Sequence, residues 1–217
     1  MFELLDKKNA INAFEILKDK YPNAKYYLNF KTPIQLLVAA ILSAQTKDEV
    51  VNALTPELYK RFQTTKDFAN ATVDELNKYI NHVTFFGNKS KNIILTCKIL
   101  IEKYNGEVPN TMDELIALPG VGRKTANTIL INAYAIVEGI PVDTWVMKLS
   151  QRIGISESKD PDKIEEDLMG IIKKDDWKKA AYIFKSHGKE ICQSTTPICS
   201  KCPINKLCKK NGVSKSK

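Results

Sequence analysis

The chain has 217 residues, of which 43% are hydrophobic, so it can bury the core of one large domain or two small ones without disulfides. Its net charge of +8 indicates a polyanionic partner, nucleic acid before an anionic membrane, and the alternative is a merely solvated basic face. The first ten residues lack the apolar run of a secretory signal. No window approaches the roughly 18 apolar residues of a membrane span, so we expect a cytoplasmic protein without a membrane partner.

Helical patterns begin near the start of the chain. Residues 9–21 have apolar side chains at helical spacing, and Pro22 follows them. Thr32 and Pro33 match an N-cap and first helical position, and Gln35 completes a capping box. The run from Ile34 to Gln45 is apolar on nearly every side but too short to cross a membrane, which predicts a buried core helix.

The remaining elements are also predicted to be helical. Capping boxes occur at residues 72–75 and 111–114, and an apolar stripe runs through residues 88–104. Asp160 with Pro161 opens another helix, and residues 177–191 form the last long one. Because alternating strand patterns are nearly absent, we predict an all-α fold. The lysine-rich ending is expected to be a frayed tail.

A glycine turn lies between the predicted helices 111–117 and 123–135. Glycines permit positive φ and close approach, and the second helix begins with unpaired N–H groups that suit a phosphate. The alternative is an ordinary corner with a glycine C-cap. The longer string LPGVGRKTA, residues 118–126, resembles the helix-hairpin-helix motif, which holds a DNA backbone without reading sequence. The candidate DNA-binding residues of this motif are Gly120, Val121, Gly122, Arg123 and Thr125.

Lys124 follows the second glycine by two positions. The positive end of the helix dipole and the neighbouring Arg123 both disfavour a protonated ammonium there. A lysine that can lose its proton is a nucleophile, so Lys124 is a candidate catalytic residue. The alternative role is a second phosphate contact.

Asp143 is the second catalytic candidate. It stands at an N-cap position before Thr144, Trp145 and Val146, and capping alone would explain it. A carboxylate near a lysine nucleophile could also stabilise positive charge that develops on a sugar ring.

Four of the five cysteines fall within 17 residues, with the spacing C-x6-C-x2-C-x5-C. These residues, Cys192, Cys199, Cys202 and Cys208, are predicted to bind metal. The compact spacing suits a four-iron four-sulfur cluster better than a zinc ribbon, although spacing alone does not decide between them. Cys97 lies on an apolar helix face and is expected to be a core residue.

Together these motifs resemble the endonuclease III family of DNA glycosylases. LPGVGRKTA matches its helix-hairpin-helix with the catalytic lysine, VDT at residues 142–144 matches its aspartate motif, and the cysteine spacing is similar to its iron–sulfur signature. SAQTKD, residues 43–48, resembles an element whose glutamine, here Gln45, enters the gap left by a flipped base. Phe85 is then a candidate wedge, the alternative being core packing. Trp145 stands where the family commonly has histidine.

The resemblance implies a two-lobed helix-hairpin-helix fold with DNA between the lobes. One lobe is a six-helix barrel at residues 26–136, and the other joins residues 1–25 to 137–217, which carry one four-iron four-sulfur cluster. Lys124 and Asp143 are expected to face each other across the cleft. The implied partner is double-stranded DNA with a damaged base, bound by a monomer that is nucleoid-associated in a prokaryote.

The implied function is that of a bifunctional DNA glycosylase and AP lyase of base-excision repair. It would remove oxidised pyrimidines through a lysine Schiff base and cut 3′ to the abasic site by β-elimination. One alternative is a monofunctional mismatch-specific glycosylase, although such enzymes often lack a lysine at this place. Another is a non-catalytic iron–sulfur module that only binds DNA.

Overall fold

The computed structural model describes residues 2–217, and within them it contains no β-strand. The all-α prediction is confirmed. The elements are α1 (Lys7–Lys20), α2 (Pro33–Ser43), α3 (Asp48–Arg61), α4 (Thr65–Asn70), α5 (Val73–Ile80), α6 (Phe86–Tyr104), α7 (Met112–Ile116), α8 (Arg123–Tyr134), α9 (Thr144–Ile153), α10 (Pro161–Met169), α11 (Lys174–Glu190) and a 3₁₀ turn at Cys199–Lys201. In this part of the chain we find no helix with the length and apolarity that crossing a membrane requires.

The chain divides into two compact units. The middle unit is Tyr27–Ile136 and contains α2 to α8. The terminal unit combines the residues up to Tyr26 with Val137–Lys217 and contains α1, α9, α10, α11 and the cysteine segment. The candidate residues are therefore shared between two separately packed bodies.

The middle unit is built around α2, as its apolar sequence predicts. Eight residues of this helix are buried, and it packs against α3, α6 and α8. The long helix α6 receives α4 and α5 on its sides, while α7 packs on α8. Phe62 and Phe68 stack with ring centroids 5.2 Å apart and close the core beneath α4. These contacts place the ends of α2, α6 and α8 in fixed positions.

The terminal unit packs α11 against α1 and α9, with α10 beside α9. Phe14 of α1 meets Phe184 of α11 at a centroid distance of 5.9 Å, and both are almost completely buried. The end of the chain is attached to this unit rather than frayed, which corrects the prediction. Asn211 Nδ2 donates to Gln151 O, and the backbone N–H of Lys217 donates to Pro197 O, at 3.0 and 2.9 Å.

The predicted helix starts agree with the structure because their caps are local. Thr32, Thr72, Thr111 and Asp160 are all N-caps whose side chains accept a backbone hydrogen bond. None of the three predicted capping boxes has the return bond to the backbone N–H of its cap residue, and Glu114 accepts from the Thr111 hydroxyl. Gln35 Oε1 accepts from Lys31 N instead, and Glu75 pairs with Arg61.

Candidate functional site

The glycine turn between α7 and α8 is fixed by α6. Thr96 Oγ1 donates to Pro119 O at 3.0 Å. Gly120 has φ +79°, and a Cβ at this position would lie 3.0 Å from Asn92 Nδ2. Gly120 is therefore required by the turn itself, both for its backbone angle and for the close approach of α6.

Gly122 differs from Gly120. It is the N-cap of α8 with φ −100°, an angle open to any residue, and a Cβ there would have no neighbour within 4 Å. No side chain caps this helix start. The fold itself therefore does not require glycine at this position. Because the helix start is uncapped and the space around Gly122 is open, an external anion can approach the first N–H groups of α8.

The side chains of the predicted hairpin residues have different surroundings. Arg123 and Lys124 are exposed in the first turn of α8, and Thr125 is half-buried. Val121 is only 6% exposed, so its side chain belongs to the core and only its backbone could reach a partner. Lys124 therefore stands at the surface directly beside the uncapped helix start.

Asp143 is the N-cap of α9, as predicted. Its Oδ1 atom accepts from Trp145 N at 2.8 Å and from Val146 N at 2.9 Å. Both hydrogen bonds end on the same oxygen, so capping leaves Oδ2 for another partner. The cap role and a charge-stabilising role are thus compatible in one carboxylate.

The segment before Asp143 has a buried support that the sequence did not reveal. Ile140 is fully buried, and its N–H donates to Glu165 Oε1 at 3.1 Å. Glu165 lies on α10 and is 4% exposed. The sequence signal that could have indicated this buried carboxylate is its place in the otherwise apolar stripe of Ile164 and Leu168.

Gln45 and Phe85, the two candidates for entering DNA, share an unusual backbone. Both have left-handed φ, at 54° and 56°, although neither is glycine. Phe85 is 63% exposed, so core packing does not explain it. Gln45 is exposed as well. A left-handed, non-glycine residue is costly and persists only where its surroundings hold it.

Those surroundings include Lys89, another residue that the sequence analysis missed. Its side chain lies on the buried side of α6 and is 6% exposed. The Nζ atom donates to Leu42 O at 2.7 Å, to Ala44 O at 2.6 Å and to Thr46 Oγ1 at 3.0 Å. Burial lowers the pKa of Lys89 to about 8. The helical spacing from Lys89 to Ile93 could have indicated that Lys89 is buried, but not which acceptors it meets.

The four clustered cysteines line one pocket, together with apolar side chains such as Ile153, Ile198 and Ile204. All are free thiols. Burial raises the pKa of Cys192 and Cys202, and raises that of Cys208 to about 11. Within residues 2–217, no three His, Cys, Asp or Glu side chains are placed to hold a metal ion. Cys97 is buried in the middle unit, as expected of a core residue.

Two buried side chains support the cysteine segment. Arg152 donates through Nη1 to Gln193 O at 2.7 Å and through Nη2 to Ser194 O at 2.6 Å, and its Nη1 lies 3.6 Å from Cys192 Sγ. His187 lies between Tyr21 Oη at 3.2 Å and Cys202 Sγ at 3.6 Å. Burial, with the charge of Lys20, lowers the pKa of His187 to about 4, which leaves it neutral near pH 7.

Trp145 packs where α9 meets α11. A Cβ at Gly188 of α11 would clash with the Trp145 ring, which explains why this position is glycine. Lys148 Nζ lies 5.7 Å from the Trp145 ring centroid and donates to Ser194 Oγ at 2.8 Å. The tryptophan therefore belongs to the packing that joins α9 to the cysteine segment.

The structure thus places the candidates in two groups. Gln45, Phe85 and the glycine turn belong to the middle unit with Lys124, and α6 contacts all three segments. Asp143 and the four cysteines belong to the terminal unit.

Comparison with known proteins identifies the class. The model for the HhH-GPD superfamily of base excision DNA repair proteins matches residues 38–174. Endonuclease III of a Synechocystis species is 44% identical over 202 residues, covering 93% of this chain and 92% of that protein. The endonuclease III chain in a trapped covalent intermediate with DNA superimposes with a TM-score of 0.92 at 36% identity, covering 95% of this chain and 97% of that one.

A thermostable thymine-DNA glycosylase superimposes with a TM-score of 0.82 at 19% identity, covering 94% of this chain and 97% of that one, which shows the shared fold alone. The chain belongs to the HhH-GPD superfamily of base excision DNA repair proteins and, within it, to the endonuclease III family.

Proposed function

We propose that this chain is a bifunctional DNA glycosylase and AP lyase of base excision repair. It removes oxidised pyrimidines from duplex DNA and cuts the strand 3′ to the resulting abasic site. The observation that carries the proposal is the exposed Lys124, placed in the first turn of an uncapped helix directly after the glycine hairpin. The high similarity to an endonuclease III that was trapped covalently on DNA supports it.

In this proposal the hairpin holds the DNA backbone. The N–H groups at the start of α8 donate hydrogen bonds to a phosphate, and Gly122 leaves room for it. Arg123 and Thr125 add polar contacts near the same phosphate. Binding of this kind is independent of sequence and weakens with salt. It would bring Lys124 beside the sugar of a flipped nucleotide.

Lys124 performs the covalent steps. Its neutral amine attacks C1′ of the damaged nucleotide, the bond from C1′ to the base breaks, and the base leaves with a proton. The C1′–O4′ bond of the sugar then breaks, O4′ takes up a proton, and the resulting open-chain iminium makes the C2′ proton acidic. Loss of that proton and breakage of the C3′–O bond release the 3′ strand, and hydrolysis returns free Lys124.

Asp143 stabilises the positive charge that forms on the sugar as the base departs. Its Oδ1 atom stays bound to the N–H groups of α9, which fixes the carboxylate, while Oδ2 faces the charge. Glu165 holds the preceding segment through Ile140 N. Gln45 and Phe85 fill the space in the duplex that the flipped nucleotide leaves.

We further propose that Cys192, Cys199, Cys202 and Cys208 hold one four-iron four-sulfur cluster. The residues fit such a group, because four free thiols share one pocket with apolar walls and the Arg152 guanidinium lies near Cys192 Sγ. The cluster would serve as a crosslink that orders the cysteine segment. The proposed task places the monomeric enzyme at chromosomal DNA, in the cytoplasm if the source is a prokaryote.

Borohydride trapping tests the proposal. Parent protein and the Lys124→Gln variant are incubated with a duplex that contains one oxidised pyrimidine, with borohydride present to reduce a Schiff base. We expect a covalent adduct with the parent only, while Lys124→Gln still binds the duplex. Tight binding by the parent without an adduct or strand cleavage would contradict the proposal, and base release without cleavage would identify a monofunctional glycosylase.

A further inference from the structure

We propose that Lys89 is a positioning residue that holds Gln45 and Phe85 in one preorganised pair for entry into the duplex. The inference rests on the proposed function, because it assumes that these two exposed side chains enter DNA. Nothing in the helix-hairpin-helix or catalytic motifs assigns a role to Lys89. Its contacts, all within the middle unit, carry the argument.

Lys89 supplies a cation at the C-terminal end of α2. Leu42 O is one of the last carbonyls of this helix, and Ala44 is its C-cap. Such carbonyls lack helical partners and carry the negative end of the dipole, so they suit a cation. The sequence of α2 supplies no basic residue in its last turn. The cation comes instead from α6, so Lys89 joins the end of one helix to the start of another.

Lys89 also holds the backbone on both sides of Gln45. Its two neighbours, Ala44 and Thr46, both accept hydrogen bonds from Lys89 Nζ. An ammonium has three donors, and all three are used here once Leu42 O is counted. The left-handed residue is therefore held on both sides by a single buried group.

The Phe85 segment is bound to the same residues. The backbone N–H of Lys89 donates to Phe85 O at 3.1 Å, and Thr84 N donates to Thr46 Oγ1 at 3.2 Å. Thr46 Oγ1, next to Gln45, thus receives one hydrogen bond from Thr84, which precedes Phe85, and one from Lys89, which follows it. The segments that carry Gln45 and Phe85 are tied through the same two residues, so displacement of one segment disturbs the other.

The burial of Lys89 separates this role from a phosphate contact. At 6% exposure its ammonium is turned into the protein, and its three partners are oxygens of the chain itself. A lysine that bound phosphate would add to the salt dependence of DNA affinity. A positioning lysine would change the fit to a gapped site and leave that dependence as it was.

The test compares Lys89→Met with the parent on two duplexes, one with a tetrahydrofuran abasic analogue and one undamaged. We expect affinity for the analogue duplex to fall by about tenfold, the loss typical of a charged hydrogen bond. Affinity for undamaged duplex should stay within about twofold, because the hairpin provides it. Thr46→Val removes the shared acceptor with a smaller perturbation and should reduce the same preference.

Lys91→Met is the matched control. Lys91 is an exposed lysine of α6 two residues further on, so this variant removes the same charge without touching the Gln45 segment. We expect it to keep the preference for the analogue duplex. The slope of log affinity against log salt should be unchanged in Lys89→Met, whereas a drop of about one unit would identify a phosphate contact and overturn the proposal.

A double-mutant cycle measures the coupling directly. Gln45→Ala and Phe85→Ala should each weaken binding to the analogue duplex in the parent, and by a clearly smaller factor in Lys89→Met. Equal factors in both backgrounds would overturn the proposal. If Lys89→Met does not fold, the same cycle with Thr46→Val decides by the same criterion.

These measurements use binding alone, so they remain informative if Lys124 forms no Schiff base. If no adduct is trapped but the double-mutant cycle shows coupling, the proposed chemistry is wrong and the role of Lys89 stands. If the adduct is trapped but the effects of the substitutions are simply additive, the chemistry stands and the role of Lys89 is wrong.

Discussion

In the proposed function, the single carboxylate of Asp143 serves both the fold and the reaction. Its Oδ1 atom accepts two backbone hydrogen bonds at the start of α9. Asparagine caps helices about as well as aspartate, whereas alanine does not. The two roles can therefore be separated by substitution, because only the negative charge is needed for the cation on the sugar.

We predict that Asp143→Asn keeps the stability of the parent and loses about 100-fold in the rate of base release. Asp143→Ala should lose the same activity and, in addition, about 1 kcal/mol of stability because the cap is removed. Thermal melts and single-turnover assays measure the two effects. Full activity in Asp143→Asn would show that the carboxylate acts only as a cap.

At the scale of elements, the hairpin uses its two glycines for different purposes. Gly120 needs its left-handed backbone and its close contact with Asn92 of α6. Gly122 has an ordinary backbone and open space around it. A side chain at Gly120 therefore disturbs the protein, while one at Gly122 meets only what binds from outside.

We predict that Gly122→Ser folds with a stability within about 0.5 kcal/mol of the parent, since serine is a good N-cap. Its affinity for undamaged duplex should fall by about tenfold, because the hydroxyl occupies the space and the N–H groups that a phosphate would use. Gly120→Ala should instead lose about 1 kcal/mol of stability. Unchanged DNA affinity in Gly122→Ser would place the phosphate elsewhere.

The elements also show how far a sequence can be interpreted alone. Helix starts at Thr32, Thr111 and Asp160 were predictable because a cap bond joins residues two or three positions apart. The start of α11 at Lys174, three residues before the predicted Trp177, has no side-chain cap to signal it. Local chemistry predicts only the boundaries that local bonds determine.

The same limit applies to the candidate site. Lys124 and Asp143 could be proposed from the sequence because each lies in a short, distinctive motif. The roles of Lys89 and Arg152 could not be proposed in this way. Each of their supporting hydrogen bonds joins the side chain to an acceptor more than 40 residues away along the chain. A buried cation is recognised by its acceptors, and those are brought to it only by folding.

At the scale of the whole molecule, the candidates lie in two units that pack independently. The middle unit has a continuous helical core, whereas the cysteine segment of the terminal unit has only a single 3₁₀ turn beyond α11. Backbone hydrogen bonds with the chain end and side-chain hydrogen bonds from Arg152 hold that segment. A cluster bound to the four cysteines would contribute directly to the stability of this unit.

We predict that Cys202→Ser loses bound iron, lowers the thermal stability and weakens DNA binding, because one of four ligands is missing. Cys97→Ala is the matched control, as Cys97 is a buried core thiol of the other unit. It should retain about four iron atoms per chain. Equal iron content, stability and DNA affinity in Cys202→Ser and the parent would contradict the cluster assignment.

The most direct test of the account is to locate the covalent bond. The borohydride-reduced adduct is digested, and the modified peptide is sequenced by mass spectrometry. The chain has 30 lysines, each with an amine able to form such an adduct, so the position of the bond is informative. We predict that the sugar is attached to Nζ of Lys124. Attachment to another lysine or to the terminal amine would contradict the role of the glycine hairpin in aiming this side chain at C1′.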